Sequence, residues 1–281
     1  MKTGVVDVGG GLRAIYSVGV LDKCIDYKIR FDYMIGVSAG SGNLSYYMAG
    51  VKSGNYEFYT KYSFKKEYMS FRNFLKTGNY LDLDYIYGPE LCGEDGKSPL
   101  SIDAMRAMGD DAEIVATEVK SGLPVYFKYA DMAQDDWGAI KASSNLPIFD
   151  KPYEWRGGQY FDGGLSDPIP FERAFEAGCD KVVVILTRPV NVKRSSGKDR
   201  RMARLIEKKY PNIAMALSNR AETYNRQVER AKKYEKEGRL LILSPSSING
   251  MNTLTKDREA MIRMHARGRR DARAIPDFLK G

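Results

Sequence analysis

Three short, β-branched and almost wholly apolar runs constrain this chain more than any other feature. KVVVILTRP (181–189) opens on an unbroken apolar run without polar alternation, so it fits best as a strand covered on both faces. TGVVDVGGG (3–11) and DYMIGVS (32–38) are of the same kind. Between them, residues 14–26 carry Ile15, Val18, Leu21, Cys24 and Ile25 at helical spacing. Strands alternating with helices predict an α/β fold whose mainly parallel sheet is covered on both sides. Further along, residues 39–50 and 134–144 read as helices. DAEIVATEV and LPVYFKYA, joined by KSG, read as two strands, and RLLILSPS (239–246) is a late strand in a mostly helical stretch after 198. With 281 residues the chain is long enough for a large core.

Charge divides the chain unevenly. Residues 1–187 hold 20 Lys+Arg against 26 Asp+Glu, whereas residues 188–281 hold 24 against 10. The break falls at RPVNVKRSSGKDRRMAR (188–204), which predicts a domain over 1–190 and a basic, mostly helical extension over 191–281. Such charge suits peripheral contact with an anionic membrane. RQVERAKKYEKEGR also interleaves both signs at the spacing of a solvated helix. No aromatic–basic pattern accompanies it, so nucleic acid is not an expected partner. No apolar run approaches the roughly 20 residues of a membrane span, and the start lacks the apolar segment of a signal peptide. Three cysteines, Cys24, Cys92 and Cys179, form no CxxC and cannot all pair, which suggests a reducing, cytoplasmic setting, while the basic C-terminal third makes peripheral contact at the inner face of the membrane a further expectation.

The chemistry concentrates in three short motifs. Gly36-Val37-Ser38-Ala39-Gly40 is a G-x-S-x-G at the junction of a predicted strand and helix, the setting of a nucleophile elbow. Gly9, Gly10 and Gly11, followed by Leu12 and Arg13, leave backbone N–H groups uncovered, as an oxyanion hole or phosphate cradle requires. The same loop meets a loose dinucleotide fingerprint, Gly9-x-Gly11-x-x-Ala14 with Asp32 beyond. Asp32, however, lies at the start of its strand, and the strand's end is occupied by Ser38. Asp162-Gly163-Gly164 places a carboxylate on an expected loop with little steric cover. A serine nucleophile needs a base. The only histidine, His265, sits in the basic segment MIRMHARGRRDARA, read as a solvated helix, which leaves Asp162 as the natural candidate.

These residues, in this order, resemble the patatin-like phospholipases and acyl hydrolases: the GGGLR loop, the GVSAG elbow and DGG, with ASSNLPIF (142–149) similar to the block that precedes DGG. The resemblance runs over roughly residues 3–190. It implies a three-layer α/β/α sandwich and a Ser38–Asp162 dyad without histidine, metal or other cofactor. Gly9, Gly10 and Gly11 would form the oxyanion hole with Arg13 beside them, and the substrate would be a lipid with a fatty-acyl ester. The last third resembles an extension of a bacterial subgroup, whose role the resemblance leaves open. A patatin-like fold acting mainly as an anionic-membrane binding module is the alternative. Residues 46–87 hold 13 of the 32 aromatic residues, expected as a cap over the sheet whose rings also line an acyl-chain channel or meet a membrane interface.

Overall fold

In the computed structural model, which describes residues 1–52, 54–109 and 111–281, the first strand lies at the centre of the sheet. The first half runs β1 (Thr3–Asp7), α1 (Ile15–Asp26), β2 (Tyr33–Val37), α2 (Ala39–Met48), α3 (Gly54–Thr60), α4 (Phe71–Thr77), α5 (Leu83–Ile86) and α6 (Ile102–Met108). It continues through β3 (Ala112–Glu118), β4 (Pro124–Lys128), α7 (Gly138–Ser144), β5 (Tyr153–Trp155), β6 (Gly158–Asp162), α8 (Phe171–Glu176) and β7 (Lys181–Ile185). The last part holds α9 (Gly197–Ile206), α10 (Pro211–Lys236), β8 (Leu240–Leu243), α11 (Arg258–Asp271) and α12 (Ile275–Lys280). Among the described residues, eight strands form one sheet in the order β5-β6-β3-β2-β1-β7-β8, with β4 also on β3. The β1, β2, β3, β7 and β8 neighbours are parallel, and β4, β5 and β6 add antiparallel pairs.

The apolar runs are buried on both faces, as their lack of alternation requires. Val5, Met34, Val183 and Ile185 enter the core under α1, α2 and α11, whereas Val6, Ile35, Val182 and Val184 enter the one under α8 and α10. Each such fully buried side chain contributes about 1.5–3 kcal/mol. The result is the three-layer sandwich. Residues 191–281 share both layers: β8 extends the sheet beside β7, α10 covers one face and α11 crosses α1 on the other.

Strand β3 sets the geometry that matters for chemistry. Its residues 113–117 pair with β4 along one edge, so β2 and β6 must share the other. There Val115 pairs with Val37 and the next residue, Ala116, pairs with Asp162. The residue after Val37, Ser38, is thereby brought end-on to Asp162. The hairpin carrying Asp162 departs from the expected loop. Arg156 and Gly157 turn it with φ of 47° and 77°, the two positive values of a type I′ turn, built here on Arg-Gly rather than the recognisable Asn-Gly.

α1 and α11 meet backbone to backbone. A Cβ on Gly19 would stand 2.1 Å from the His265 carbonyl oxygen, and one on Gly268 would stand 2.0 Å from that of Tyr16. Tyr16 also donates to Asp271 at 2.9 Å, fixing the same crossing. Alanine is the better helix former by about 1 kcal/mol. Gly268→Ala should nonetheless destabilise the fold by about 1–3 kcal/mol through overpacking. Denaturant unfolding checks this, and a stability equal to or above wild type contradicts the close crossing.

Candidate active site

Ser38 ends β2 and begins α2 with φ 57° and ψ −132°, a sparsely populated conformation for a non-glycine residue. Its neighbours explain how so tight a turn is possible. A Cβ on Gly36 would lie 2.5 Å from the Ser41 Cα, and one on Gly40 would lie 2.2 Å from the Asp7 carbonyl oxygen. The Ser38 amide donates to the Ser143 hydroxyl of α7 at 2.8 Å, and the Ser38 carbonyl accepts from the Ser41 hydroxyl at 2.6 Å. The turn is thus held from both ends, which leaves the Ser38 side chain at the N-terminus of α2.

Asp162 closes β6 and caps the turn that follows. Its amide donates to the Asn145 carbonyl at 2.7 Å, and its Oδ1 accepts from the Gly164 amide at 2.8 Å. Gly163 packs under β3, where a Cβ would stand 2.1 Å from the Val115 carbonyl oxygen. Burial raises the Asp162 pKa above that of an ordinary aspartate. The Ser38 hydroxyl, the Gly164 amide and the positive charges of Arg220 and Arg194 act in the opposite sense. A buried carboxylate that faces a serine hydroxyl and binds protons more tightly than usual is suited to act as a general base.

The glycine loop after β1 is anchored against this pair. Gly9, Gly10 and Gly11 have φ of 63°, 120° and 60°. The Gly9 amide donates to Asp7 Oδ1 at 2.9 Å, and its carbonyl accepts from the Thr187 hydroxyl at 2.5 Å. Gly9 therefore supports the loop, its N–H already engaged. Leu12 donates its amide to the Thr253 carbonyl at 2.8 Å. Among the described residues this leaves the amides of Gly10 and Gly11 without a protein partner. Arg13 is only 4% exposed, and its guanidinium lies over Gly10 while Nη1 donates to Thr253 Oγ1 at 3.2 Å. Asp7, pushed up to about 6 by burial, also accepts from Asn43 at 3.0 Å and so joins the loop to α2.

Two cavities meet at Ser38. A narrow apolar one of about 40 Å³ is lined by Tyr46, Phe58, Tyr59, Tyr68, Leu81 and Tyr87, among others. A wider one of about 450 Å³ is lined by the glycine loop, Asp162, Thr187 and residues of the C-terminal part. Both reach Gly11, Ser38, Leu146, Thr253 and Leu254. The position agrees with strand order. Beyond β1 the chain proceeds to β2 and β3 on one side, while β7 and β8 lie on the other, and the crevice opens where their following loops diverge. Aromatic residues of the 46–87 segment thus form both a packed cap and one wall of a cavity.

Several residues of this site carry no motif of their own. Ser143 lies in the alanine–serine block but was recognisable only as part of that block. Asp7, Thr187 and Thr253 come from distant segments and had no signal beyond their polarity. His265 differs from the solvated residue expected of its basic surroundings. Its side chain is 15% exposed, its Nε2 bonds Asp22 at 2.8 Å and its ring packs 4.7 Å from that of Tyr56. It lies in the α1–α11 interface and lines neither cavity at Ser38.

The family model for patatin-like phospholipases matches residues 8–175. The chain belongs to the patatin-like phospholipase family. A second model, described as a domain of unknown function (DUF6363), matches residues 210–279. The Escherichia coli (strain K12) protein YjjU is 30% identical over 194 residues, covering 67% of this chain and 52% of that protein. The chain thus spans about half the length of that relative. The crystal structure of VipD from Legionella pneumophila aligns with a TM-score of 0.51 at 12% identity, over 98% of this chain and 67% of VipD. That likeness is one of fold.

Because His265 stands apart from Ser38, His265→Ala should leave serine reactivity within about twofold of wild type while costing about 1 kcal/mol or more of stability. Labelling rate and unfolding measured on one preparation separate these effects. A loss of reactivity by orders of magnitude in a folded variant would place the histidine in the chemistry.

Proposed function

We propose that this patatin-like protein hydrolyses fatty-acyl esters of lipids through an acyl-enzyme formed on Ser38, with Asp162 as the base. One observation carries the proposal: a conformationally strained serine faces a buried carboxylate, beside two glycine amides with no other partner among the described residues. As Ser38 Oγ attacks the acyl carbonyl carbon, its proton passes to Asp162. The tetrahedral oxyanion is held by the Gly10 and Gly11 amides, and removing one such donor costs roughly 3–4 kcal/mol elsewhere. Collapse breaks the ester C–O bond, and Asp162 returns the proton to the leaving alcohol. Water then attacks the acyl-enzyme, giving its proton to Asp162, and the fatty acid leaves as Ser38 recovers a proton. The apolar cavity receives the acyl chain once its aromatic rings part.

Contact with a lipid surface fits α4 best. Phe71 and Leu75 are 66% and 72% exposed, Phe71 and Phe74 stack on one another, and Arg72 and Lys76 flank them. This helix is bracketed in sequence by Tyr68 and Leu81, which line the apolar cavity. Among the described residues no helix is long and apolar enough to cross a membrane. A peripheral approach through α4 would bring the cavity towards the acyl chains. Phe71→Glu together with Leu75→Glu should weaken vesicle sedimentation about tenfold while leaving fold stability within about 0.5 kcal/mol. Unchanged sedimentation removes α4 from the contact.

The dyad is tested by labelling with a fluorophosphonate probe and by turnover of a fatty-acyl ester. Wild type should label and turn over; Ser38→Ala should do neither, and Asp162→Asn should lose about a thousandfold in kcat. Wild-type protein that fails to label, or Ser38→Ala that labels equally, overturns the assignment. The pH profile carries a sign. Since burial raises Asp162 above its ordinary 3.8, the basic form is lost as pH falls through that raised value, so kcat/KM declines on acidification at a pH higher than an exposed aspartate would dictate. A profile flat down to the ordinary aspartate range contradicts Asp162 as the base.

A further inference from the structure

The wider cavity at Ser38 holds more positive charge than acyl transfer needs. Arg13, Arg188, Arg194, Lys198 and Arg220 all line it, against two carboxylates, Asp199 and the candidate base Asp162. Asp199 is shared: Arg194 reaches it at 3.3 Å, and Arg220 grips it at 2.6 and 3.0 Å. Among the described residues, Arg13 and Arg188 make no ion pair. Arg13 is 4% exposed, and its buried Nε has no hydrogen-bond partner among the described residues. A buried guanidinium with a free donor and no carboxylate is a costly arrangement unless an anion completes it.

The cluster is built deliberately from separate segments. Arg188 follows β7, and Arg194 is held in the next loop by a reciprocal pair of bonds with Asn225, whose Oδ1 accepts from the Arg194 amide at 2.8 Å and whose Nδ2 donates to its carbonyl at 2.9 Å. Arg220 and Tyr224 project from the same face of α10, where Leu217 and Ala221 are buried. The charges crowd one another. Burial first, and then Arg188 and Arg194, pull Arg13 down to about 9, and burial followed by Arg220 pulls Arg194 down to about 10. Ser38 stands at the boundary between this cationic space and the apolar cavity. A molecule that spans both must be apolar at one end and anionic at the other.

We infer that Arg13, Arg188, Arg194 and Arg220 form a headgroup subsite, supplied jointly by the glycine loop, the segment after β7 and α10, that selects acyl esters bearing a phosphoryl anion with no compensating cation. This rests on the acyl-hydrolase proposal above. Guanidinium forks converging from three chain segments match the several oxygens of a phosphoryl group. A choline-type headgroup would instead bring a further cation into a space already in positive excess, and a bare glycerol would leave the arginines unanswered.

The test compares three substrates with one common acyl chain: lysophosphatidic acid, lysophosphatidylcholine and monoacylglycerol. Wild type should turn over the phosphomonoester with the highest kcat/KM. Arg188→Gln orphans no carboxylate, so the fold should hold, and it should lower the ratio of phosphomonoester to monoacylglycerol kcat/KM about tenfold. Arg194→Lys, which keeps the charge but not the fork, should lower it less. Arg204→Gln, an exposed position on α9 outside the cavity, should leave the ratio unchanged. A second arm needs no turnover: calorimetry on Ser38→Ala protein with glycerol 3-phosphate and with inorganic phosphate. Glycerol 3-phosphate should bind, and adding Arg188→Gln should weaken it about tenfold. A ratio insensitive to Arg188→Gln, with binding equally insensitive, overturns the subsite while leaving hydrolysis intact. Inorganic phosphate binding as tightly as glycerol 3-phosphate, with no substrate preference, overturns the headgroup assignment in favour of a free-anion site. Arginine-dependent binding of glycerol 3-phosphate without hydrolysis of any substrate supports the subsite and shows that the hydrolase proposal has failed.

Discussion

The register of three strands governs the rest of the site. Because one edge of β3 is shared by β2 and β6, the ends of two segments more than 120 residues apart are placed side by side, Val37 against Val115 and Asp162 against Ala116. A slip of one residue in either ladder would reverse every side chain on that strand and separate Ser38 from Asp162. The burial of both faces of β1, β2 and β7 resists such a slip, since it would have to repack two cores at once. The precision of the pair is therefore a consequence of the sheet's hydrophobic packing.

Around this pair, the remaining groups act as supports of the backbone. Asp7, Asn43 and Thr187 hold the glycine loop, and Ser143 holds the elbow. Thr253 binds the loop from the C-terminal part, accepting from the Leu12 amide and the Arg13 guanidinium. The part of the chain matched by the second family model is thus built into the crevice, through α10 on the wider cavity and β8 on the sheet. Its positive charge is distributed unequally. Some is neutralised on the surface, as in Arg263–Glu259 and Arg269–Asp26, whereas in the cavity Arg220 shares Asp199 with Arg194, and Arg13 and Arg188 make no ion pair among the described residues.

Much of this was legible beforehand because it depended on local chemistry. A strand buried on both faces shows itself as an apolar run, a turn as tight as the elbow must use small residues, and a loop with open amides must be glycine. The features without a local sign depend on partners far away in sequence. The hairpin 153–162 was hidden because Arg156-Gly157 makes a type I′ turn without the usual asparagine. The basic local sequence of His265 reads as solvated, whereas its environment is set by Asp22 across the α1–α11 crossing and by Tyr56 of α3. The close approach of Gly19 and Gly268 likewise had no local sign.

The sequence by itself determined the layered α/β architecture, the positions of Ser38 and the glycine loop at strand ends, and the polarity of the two halves of the chain. Each follows from short-range sterics or from composition. Tertiary structure alone decided that Gly9 spends its amide on Asp7 while Gly10 and Gly11 keep theirs, that Asp162 is buried against Ser38, and that five basic residues from four segments converge on one cavity. Those outcomes depend on distance through space and on exclusion of water, and neither quantity exists until the sheet has closed its two cores.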